Sequence, residues 1–382
     1  MNISTSQYPQ HLTRSKLSRA EQQTLKELQP RQGNEAESVV IFCDVGRDQD
    51  DELALATLAK LHHMGNVNIK GVITNLGPSD KRAQLAKGAL GELGLSEVPV
   101  AVGSSSGQSP DKYDHYEFEA PYMAPQQSVE KSGQSLLKTI FQSADDRSVN
   151  LVVLGPMTDL NEFMTENTEL FRQKAERGVI MGGVQRQDGE ILLKDGLMVP
   201  DTANNNTFDT QASSGVYAGL QNWGIPTTVL TREAAYAAPA DKDFYNGLGD
   251  TGNPVGERLK ATQRRSIEGL WERVNMTADD PNRLGLPGRC DKAWFEKTFC
   301  DGPVPEGSDV WDSIARLPVY DAVAGLAVLG EEQSSKLFAP EKVQVGGVTH
   351  QVIGLSKEHP GMGRLKANQA ISALAKSVML EH

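Results

Sequence analysis

The sequence predicts an α/β protein: an open, mostly parallel, twisted sheet flanked by helices, with a helical cap or lid region inserted late in the chain. Three observations predict it. Val39-Val-Ile-Phe-Cys43 is an unbroken apolar run, the pattern of a strand covered on both faces. Similar short runs recur and alternate with helix-forming stretches, as βαβ units do. The loops that follow these runs are acidic, polar or small.

Residues 1–36 are a polar leader, partly helical or flexible, in which Ser18-Arg-Ala-Glu21 fits a capping box for a short helix ending before Pro30. The first strand, from Ser38, leads through a polar turn into the strong helix former Glu52–Lys60. A second strand at Ile69–Ile73 precedes a helix at about Lys81–Leu93, and Val98–Val102 is a third strand. Val149–Leu154 is a fourth, with a helix from Thr158, and Gly178–Met181 is a fifth, with a helix near Asp209–Asn222. Thr227–Leu230 is a sixth. Residues 105–135 form a long loop, and about 232–312 reads as a helical, Gly- and Pro-rich cap. The core resumes with a helix at Asp321–Leu329, a hairpin around Val345-Gly-Gly-Val348 and a last helix at about Ala367–Val378. Residues 37–379 are therefore expected to form one domain. Leu380-Glu-His382 resemble the start of a cloning tag and are set aside from the fold.

Composition limits the function. Of 382 residues, 38% are hydrophobic and 23% charged, which excludes wholesale disorder. Lys and Arg number 38 against 50 Asp and Glu, a formal charge of −12, and this field disfavours non-specific nucleic-acid or anionic-membrane binding. No apolar run reaches the roughly 18 residues of a membrane span. Cys43, Cys290 and Cys300 make neither a disulfide framework nor a zinc spacing, and reduced thiols are the simpler reading.

The strongest chemical signal is the loop after the first strand. Asp44, Asp48, Asp50 and Asp51 lie within eight residues, and without a cation they would repel one another. Oxygen-only ligands point to Ca²⁺ or Mg²⁺ rather than zinc. A solvated acidic helix N-terminus is the alternative; it suits Asp50 and Asp51 but fits Asp44 poorly, directly after five apolar residues. In parallel sheets ligands gather outside the C-terminal strand ends. This directs attention to that loop, to Thr74-Asn75, Gly103–Gly107, Gly155-Pro156 and Met181-Gly-Gly183.

The acidic stretch resembles the signature loop of the calcium-dependent nucleoside hydrolases. Further segments agree in order: Thr74-Asn75 with Arg82-Ala83, Leu151–Leu160, Ile180–Gly183, Asn204-Asn205-Asn206-Thr-Phe208-Asp209, and Val319-Tyr320-Asp321-Ala-Val-Ala324, which resembles the family's late His-Asp-Pro-Leu-Ala. The resemblance covers about residues 38–330 and implies the nucleoside hydrolase fold, with its Rossmann-like core. The variant acidic loop, the long insertion and the polar leader resemble a narrower group, the nucleoside-hydrolase-like type III effectors of plant-pathogenic bacteria. That resemblance implies secretion into the plant cell cytoplasm or nucleus, modulation of immunity, and engagement of 14-3-3 and immune receptor proteins.

By resemblance, Asp44, Asp51 and Asp321 are expected to bind Ca²⁺ through carboxylates and Leu154 through its backbone oxygen, while Asp48 or Asp50 holds the attacking water. Asn75, Asn204, Asn205 and Asn206 are expected at the ribose hydroxyls, though turn formation accounts equally well for any one asparagine, and a helix N-cap is the alternative for Asp321. Tyr245, Tyr236, Tyr116 and His115 are candidates to stack on or protonate the base. The expected ligand is a ribose-containing small molecule: nucleoside, nucleotide, cytokinin ribotide or ADP-ribose-like. Three positions depart from the family. Its second aspartate is Gly46, its late proton-donating histidine is Tyr320, and its ribose-side glutamate aligns near Ala203. These departures leave two expectations open: an N-glycosyl hydrolase with Tyr320 as proton donor, or a catalytically impaired effector that works by binding host proteins. Arg47 is a phosphate-contact candidate if the ligand is a nucleotide, or else a salt-bridged loop residue.

Overall fold

A computed structural model describes residues 16–31, 33, 35–46, 49–105 and 115–382, the side chains of residues 115 and 116 excepted. Asp48, Arg47 and the side chains of His115 and Tyr116 thus lie outside the described residues. Helix α1 (Arg19–Leu28) opens with the expected capping box, Ser18 and Glu21 exchanging hydrogen bonds at 3.2 and 2.7 Å. The alternating half follows as β1 (Glu37–Cys43), α2 (Asp50–His63), β2 (Val67–Thr74), α3 (Ser79–Glu92), β3 (Val100–Val102), α4 (Gly133–Ser143), β4 (Val149–Val153), α5 (Thr158–Glu166), α6 (Thr168–Lys174) and β5 (Ala175–Met181). Two small hairpins come next, β6 (Arg186–Gln187) with β7 (Glu190–Ile191) and β8 (Leu193–Lys194) with β9 (Leu197–Met198). They lead to α7 (Asn204–Thr207), α8 (Thr210–Asn222) and β10 (Thr227–Leu230). The remainder is α9 (Arg232–Tyr236), α10 (Lys242–Gly249), α11 (Pro254–Val274), α12 (Lys292–Phe299), α13 (Tyr320–Leu326), α14 (Glu331–Leu337), the hairpin β11 (Glu341–Val345) and β12 (Val348–Ile353), and α15 (Ala367–Glu381).

Eight strands form one sheet in the order β11-β12-β10-β5-β4-β1-β2-β3, parallel throughout except for the β11–β12 hairpin. The apolar run of β1 is explained by this position. Val39, Ile41 and Cys43 face one core layer, and Val40 and Phe42 face the other. The chain winds outward from β1 through β2 to β3, then returns to β1's other side with β4. Strand order therefore reverses between β1 and β4, and this switch point is where an open α/β sheet leaves a crevice at its C-terminal edge. Asp44 follows β1 and Leu154 follows β4, so both stand at that crevice.

Helix α2 is buried from Asp50 through Leu61, not amphipathic in the usual way. Its small Ala and Thr residues let α13 and α15 pack closely against it. The hydroxyl of Thr57 donates to the Leu53 carbonyl at 2.9 Å, which removes its polarity from that packed surface.

The segment 232–312 differs from the expected cap. Only Arg232 and Tyr236 of it line the central cavity. Helices α10 and α11 instead pack beside α15 and α3. The reason is a buried ion pair: Arg258 of α11 donates to the Glu52 carboxylate of α2, which also accepts from the Tyr122 hydroxyl, and Arg258 donates further to the carbonyls of Glu117 and Glu119. Glu52 is fully buried and Arg258 is 5% exposed. Tyr245, expected at the ligand, is corrected by the same packing. It is 1% exposed in α10, against Phe244 and Trp311, and does not line the cavity. The last residues also belong to the fold: α15 runs through Glu381, whose carboxylate accepts from Lys60 at 2.5 Å.

Removing one partner of a buried ion pair strands the other. Glu52→Ala is expected to lower unfolding free energy by about 3–5 kcal/mol, measured by urea titration; a loss under about 1 kcal/mol would show that the pair does not fasten α11 to α2.

Candidate active site and metal centre

The carboxylates of Asp44, Asp50, Asp51 and Asp321 converge at the crevice, each at most 8% exposed. Asp44 directly follows β1, Asp50 and Asp51 open α2, and Asp321 lies in the first turn of α13. Helices α2 and α13 thus both aim N-terminal amides and positive dipole ends at the cluster. The backbone N–H of Asp44 donates to the Asp51 carboxylate at 3.2 Å, and that of Asp321 to Asp50 at 3.4 Å. Asp50, Asp51 and Asp321 each offer an oxygen within 4.8 Å of the other two. Asp50, which the sequence grouped with the water-holding residues, therefore stands within the ligand-like set.

Burial, and then the neighbouring carboxylates, push the carboxyls of Asp51 and Asp321 well above the usual range. Arg82 opposes the repulsion. Its guanidinium is fully buried and donates to the carbonyls of Asp44 at 2.7 Å, Val45 at 3.0 Å, Leu76 at 3.0 Å and Gly77 at 3.1 Å. It both shapes the turn after β1 and places a permanent positive charge beneath the acids. One oxygen of Asp321, Oδ1, is buried without a hydrogen-bond partner among the described residues. A buried orphan acceptor in an all-oxygen donor set fits a hard divalent cation.

The Leu154 carbonyl reaches the same cavity and accepts from Asn205 Nδ2 at 2.7 Å; Asn205 also donates to Met181 O at 3.1 Å. One side chain thereby ties the ends of β4 and β5 to the Asn-rich turn, and a second lone pair on the Leu154 oxygen stays available for a cation. Asn204 and Asn205 line the cavity. Asn75 and Asn206, expected at ribose, do not. Asn75 is fully buried and donates to the Pro156 carbonyl at 2.7 Å, while Asn206 is 1% exposed and donates to Gly183 O at 3.1 Å. Both brace the walls through their Nδ2 groups, which donate to backbone carbonyls, while the Oδ1 of each is buried without a hydrogen-bond partner among the described residues.

The cavity has a volume of about 420 Å³, ordinary for a small-molecule site. Its upper wall is aromatic. Tyr320, at the start of α13, meets Tyr236 edge-to-face with ring centroids 5.9 Å apart, and their hydroxyls are 3.4 Å apart. Phe208, Thr202 and Arg232 also line it and had not been singled out from sequence. Arg232 was within reach, since it follows β10 and the strand-end rule covers that loop too. Phe208 carried no separate signal inside the Asn-rich motif.

Gly46 sits at φ +122°, and a Cβ there would meet Phe118 Cε1 at 2.8 Å and Glu117 O at 3.2 Å. The turn after β1 is therefore built around a glycine where the resemblance expects an aspartate.

The profile of the inosine-uridine preferring nucleoside hydrolases matches residues 39–295, and the chain belongs to that family. It is XopQ-like within it. The crystal structure of type III effector protein XopQ complexed with adenosine diphosphate ribose is 30% identical, covers 95% of this chain and 100% of its own, and superposes with a TM-score of 0.82. The effector protein XOO4466 is 28% identical over 95% of this chain and 99% of its own, at a TM-score of 0.81. The purine-preferring ribonucleoside hydrolase from Gardnerella vaginalis, 12% identical over 90% of this chain and 100% of its own at a TM-score of 0.56, shares the fold. No curated protein matches the sequence.

Two outcomes are expected. A carboxyl raised above its ordinary 3.8 in the fold stabilises fully below that value and loses its contribution as pH rises through the folded value. Without metal, the cluster's contribution therefore falls as pH rises from about 4. Calcium competes with those protons, so its gain in Tm should be larger at pH 8 than at pH 5, and Asp321→Asn should abolish it. A calcium shift that ignores pH, or that persists in the variant, contradicts this. Separately, Gly46→Asp is expected to cost about 1–3 kcal/mol in urea unfolding, because the backbone angle and Phe118 both oppose the new side chain; an unchanged midpoint would refute it.

Proposed function

We propose that this protein binds a ribose-containing ligand over calcium and hydrolyses its N-glycosidic bond. The observation that carries the reading is the meeting of Asp321 with Asp50 and Asp51, 271 residues apart in the case of Asp50, at the floor of a cavity with an aromatic upper wall. Asp44, Asp50, Asp51, Asp321 and the Leu154 carbonyl would hold the ion. Calcium bound there supplies a Lewis acid that orients vicinal hydroxyls and acidifies water.

The chain's own groups do the rest. Asp50 of the cluster accepts the proton of the attacking water, Asp48 being the other candidate from sequence. The carboxylates beneath the ring stabilise the positive charge that builds on the sugar as the C1′–N bond breaks. Tyr320 stands at the family's histidine position, and its hydroxyl donates to the departing base nitrogen. Tyr236 offers a face or edge to the base, and Asn204 and Asn205 reach the sugar hydroxyls. Water's hydroxyl ends on C1′ and its proton, through these groups, on the base. The XopQ complex supports an ADP-ribose-like ligand; nucleosides, nucleotides and cytokinin ribotides carry the same ribose. Likeness to effector proteins supports delivery by type III secretion into a host plant cell and action on immunity there.

Gly46 favours a second reading. Where the family's second aspartate is missing and the turn is closed around glycine, the protein can retain a ligand site yet act by binding host proteins such as 14-3-3 or immune receptors.

Chromatography of nucleosides, nucleotides and ADP-ribose incubated with the protein separates these readings. Calcium-dependent release of free base or ADP-ribose cleavage is expected, lost in chelator and in Asp51→Ala and Asp321→Ala. Tyr320→Phe should slow turnover about 100-fold or more while sparing ligand affinity. Release that survives both aspartate changes overturns the metal-site reading. Calcium-dependent binding without release favours the second.

A further inference from the structure

Arg232 is unlike the rest of the cavity wall. Among the described residues it is the one basic side chain lining a cavity whose floor carries four carboxylates. It opens α9 just past the C-terminal end of β10, and its side chain is 60% exposed. Glu233 lies 3.7 Å from its Nε, but that carboxylate is closer to Arg186, at 3.1 Å. Tyr236 lies four residues on, on the same face of the turn. A path therefore runs from floor to rim through Asp321, Tyr320, Tyr236 and Arg232, with the acid at one end and the cation at the other.

Ribose itself has two unlike faces. In a β-ribofuranoside the 2′ and 3′ hydroxyls share one face of the ring, and the base and C5′ share the other. With the diol on the acidic floor, whatever is attached to C5′ points to the mouth. We infer that Arg232 forms an anion subsite for a phosphate carried on C5′, so that the pocket selects phosphorylated ribosides over neutral ones. The inference rests on the reading above, in which the ribose diol lies on the cation. A guanidinium matches phosphate oxygens with two parallel N–H donors, whether the phosphate is terminal, as in a nucleoside monophosphate, or part of a diphosphate bridge, as in ADP-ribose. Placing the cation at the rim keeps the phosphate away from the carboxylates, which would otherwise repel it.

Calorimetric titration of the calcium-loaded full chain tests this. Ribose and ribose 5-phosphate form a pair without a bond to cleave; adenosine, AMP and ADP-ribose extend it. Phosphorylated ligands should bind the native protein more tightly than their neutral counterparts, and the difference should shrink at high salt. Arg232→Ala should weaken AMP and ribose 5-phosphate about tenfold and leave adenosine within about twofold, with Arg232→Lys between. The ADP-ribose arm tells whether a bridging diphosphate is read as well as a terminal phosphate. Equal weakening of adenosine and AMP, or no native preference for AMP, overturns the subsite and leaves the ribose reading standing. Failure of every ligand to bind, with calcium present and the native Tm intact, overturns both.

Discussion

Four carboxylates are forced together in a buried crevice, and the rest of the structure is arranged around tolerating them. Two unit charges 4 Å apart repel by about 4 kcal/mol at an effective dielectric of 20, so a cluster of this kind survives only with compensation on several sides. Helices α2 and α13 point their N-termini at it. Arg82 lies beneath it, fully buried, with four carbonyls accepting from its guanidinium. The remaining imbalance appears as raised proton affinity in Asp51 and Asp321 and as an orphaned oxygen on Asp321. Protons and a divalent cation are alternative answers to the same excess of negative charge.

The scaffold that holds this arrangement uses buried guanidinium groups twice, in different ways. Arg82 has backbone carbonyls for partners, so it fixes the path of a turn and lends the acids its charge. Arg258 is paired with Glu52, one residue after the acid pair of α2, and so fastens the long helix α11 to the helix that carries two of the four acids. The late helical segment therefore reaches the site chiefly by holding α2, and directly only through its first turn at Arg232 and Tyr236.

Among the described residues the cavity lining combines four carboxylates, the Asn204 and Asn205 amides, two tyrosines and one arginine, Arg232, whose side chain is 60% exposed. Under the proposed function, such a set of groups suits a ligand whose diol-bearing sugar carries an aromatic base at one carbon and an anionic substituent at another. Of the positions where the resemblance expects other residues, Tyr320 in place of a histidine lines the cavity, and Gly46 in place of an aspartate takes a turn that an L side chain adopts only with strain.

Much of this was legible in the amino-acid order, because it rests on local patterns. Apolar runs spaced by helix formers set the parallel sheet, Ser18 and Glu21 set a helix start, and the acids after β1 announced a cation-like site. The family resemblance carried Asp321 and Leu154 to the same point. What the chain alone could not decide depends on which way a side chain turns once distant elements pack. Asn75 and Asn206 look like Asn204 and Asn205 in sequence, yet the first two are buried away from the cavity and the other two line it, Asn205 while also donating to the Leu154 and Met181 carbonyls. Tyr245 and Tyr236 belong to neighbouring helices of one segment, but the Glu52–Arg258 pair draws α10 and α11 to the flank, which buries Tyr245 and leaves Tyr236 at the mouth. Residue type fixes what a group is able to do; long-range packing and the satisfaction of buried polar atoms fix whether it faces the ligand.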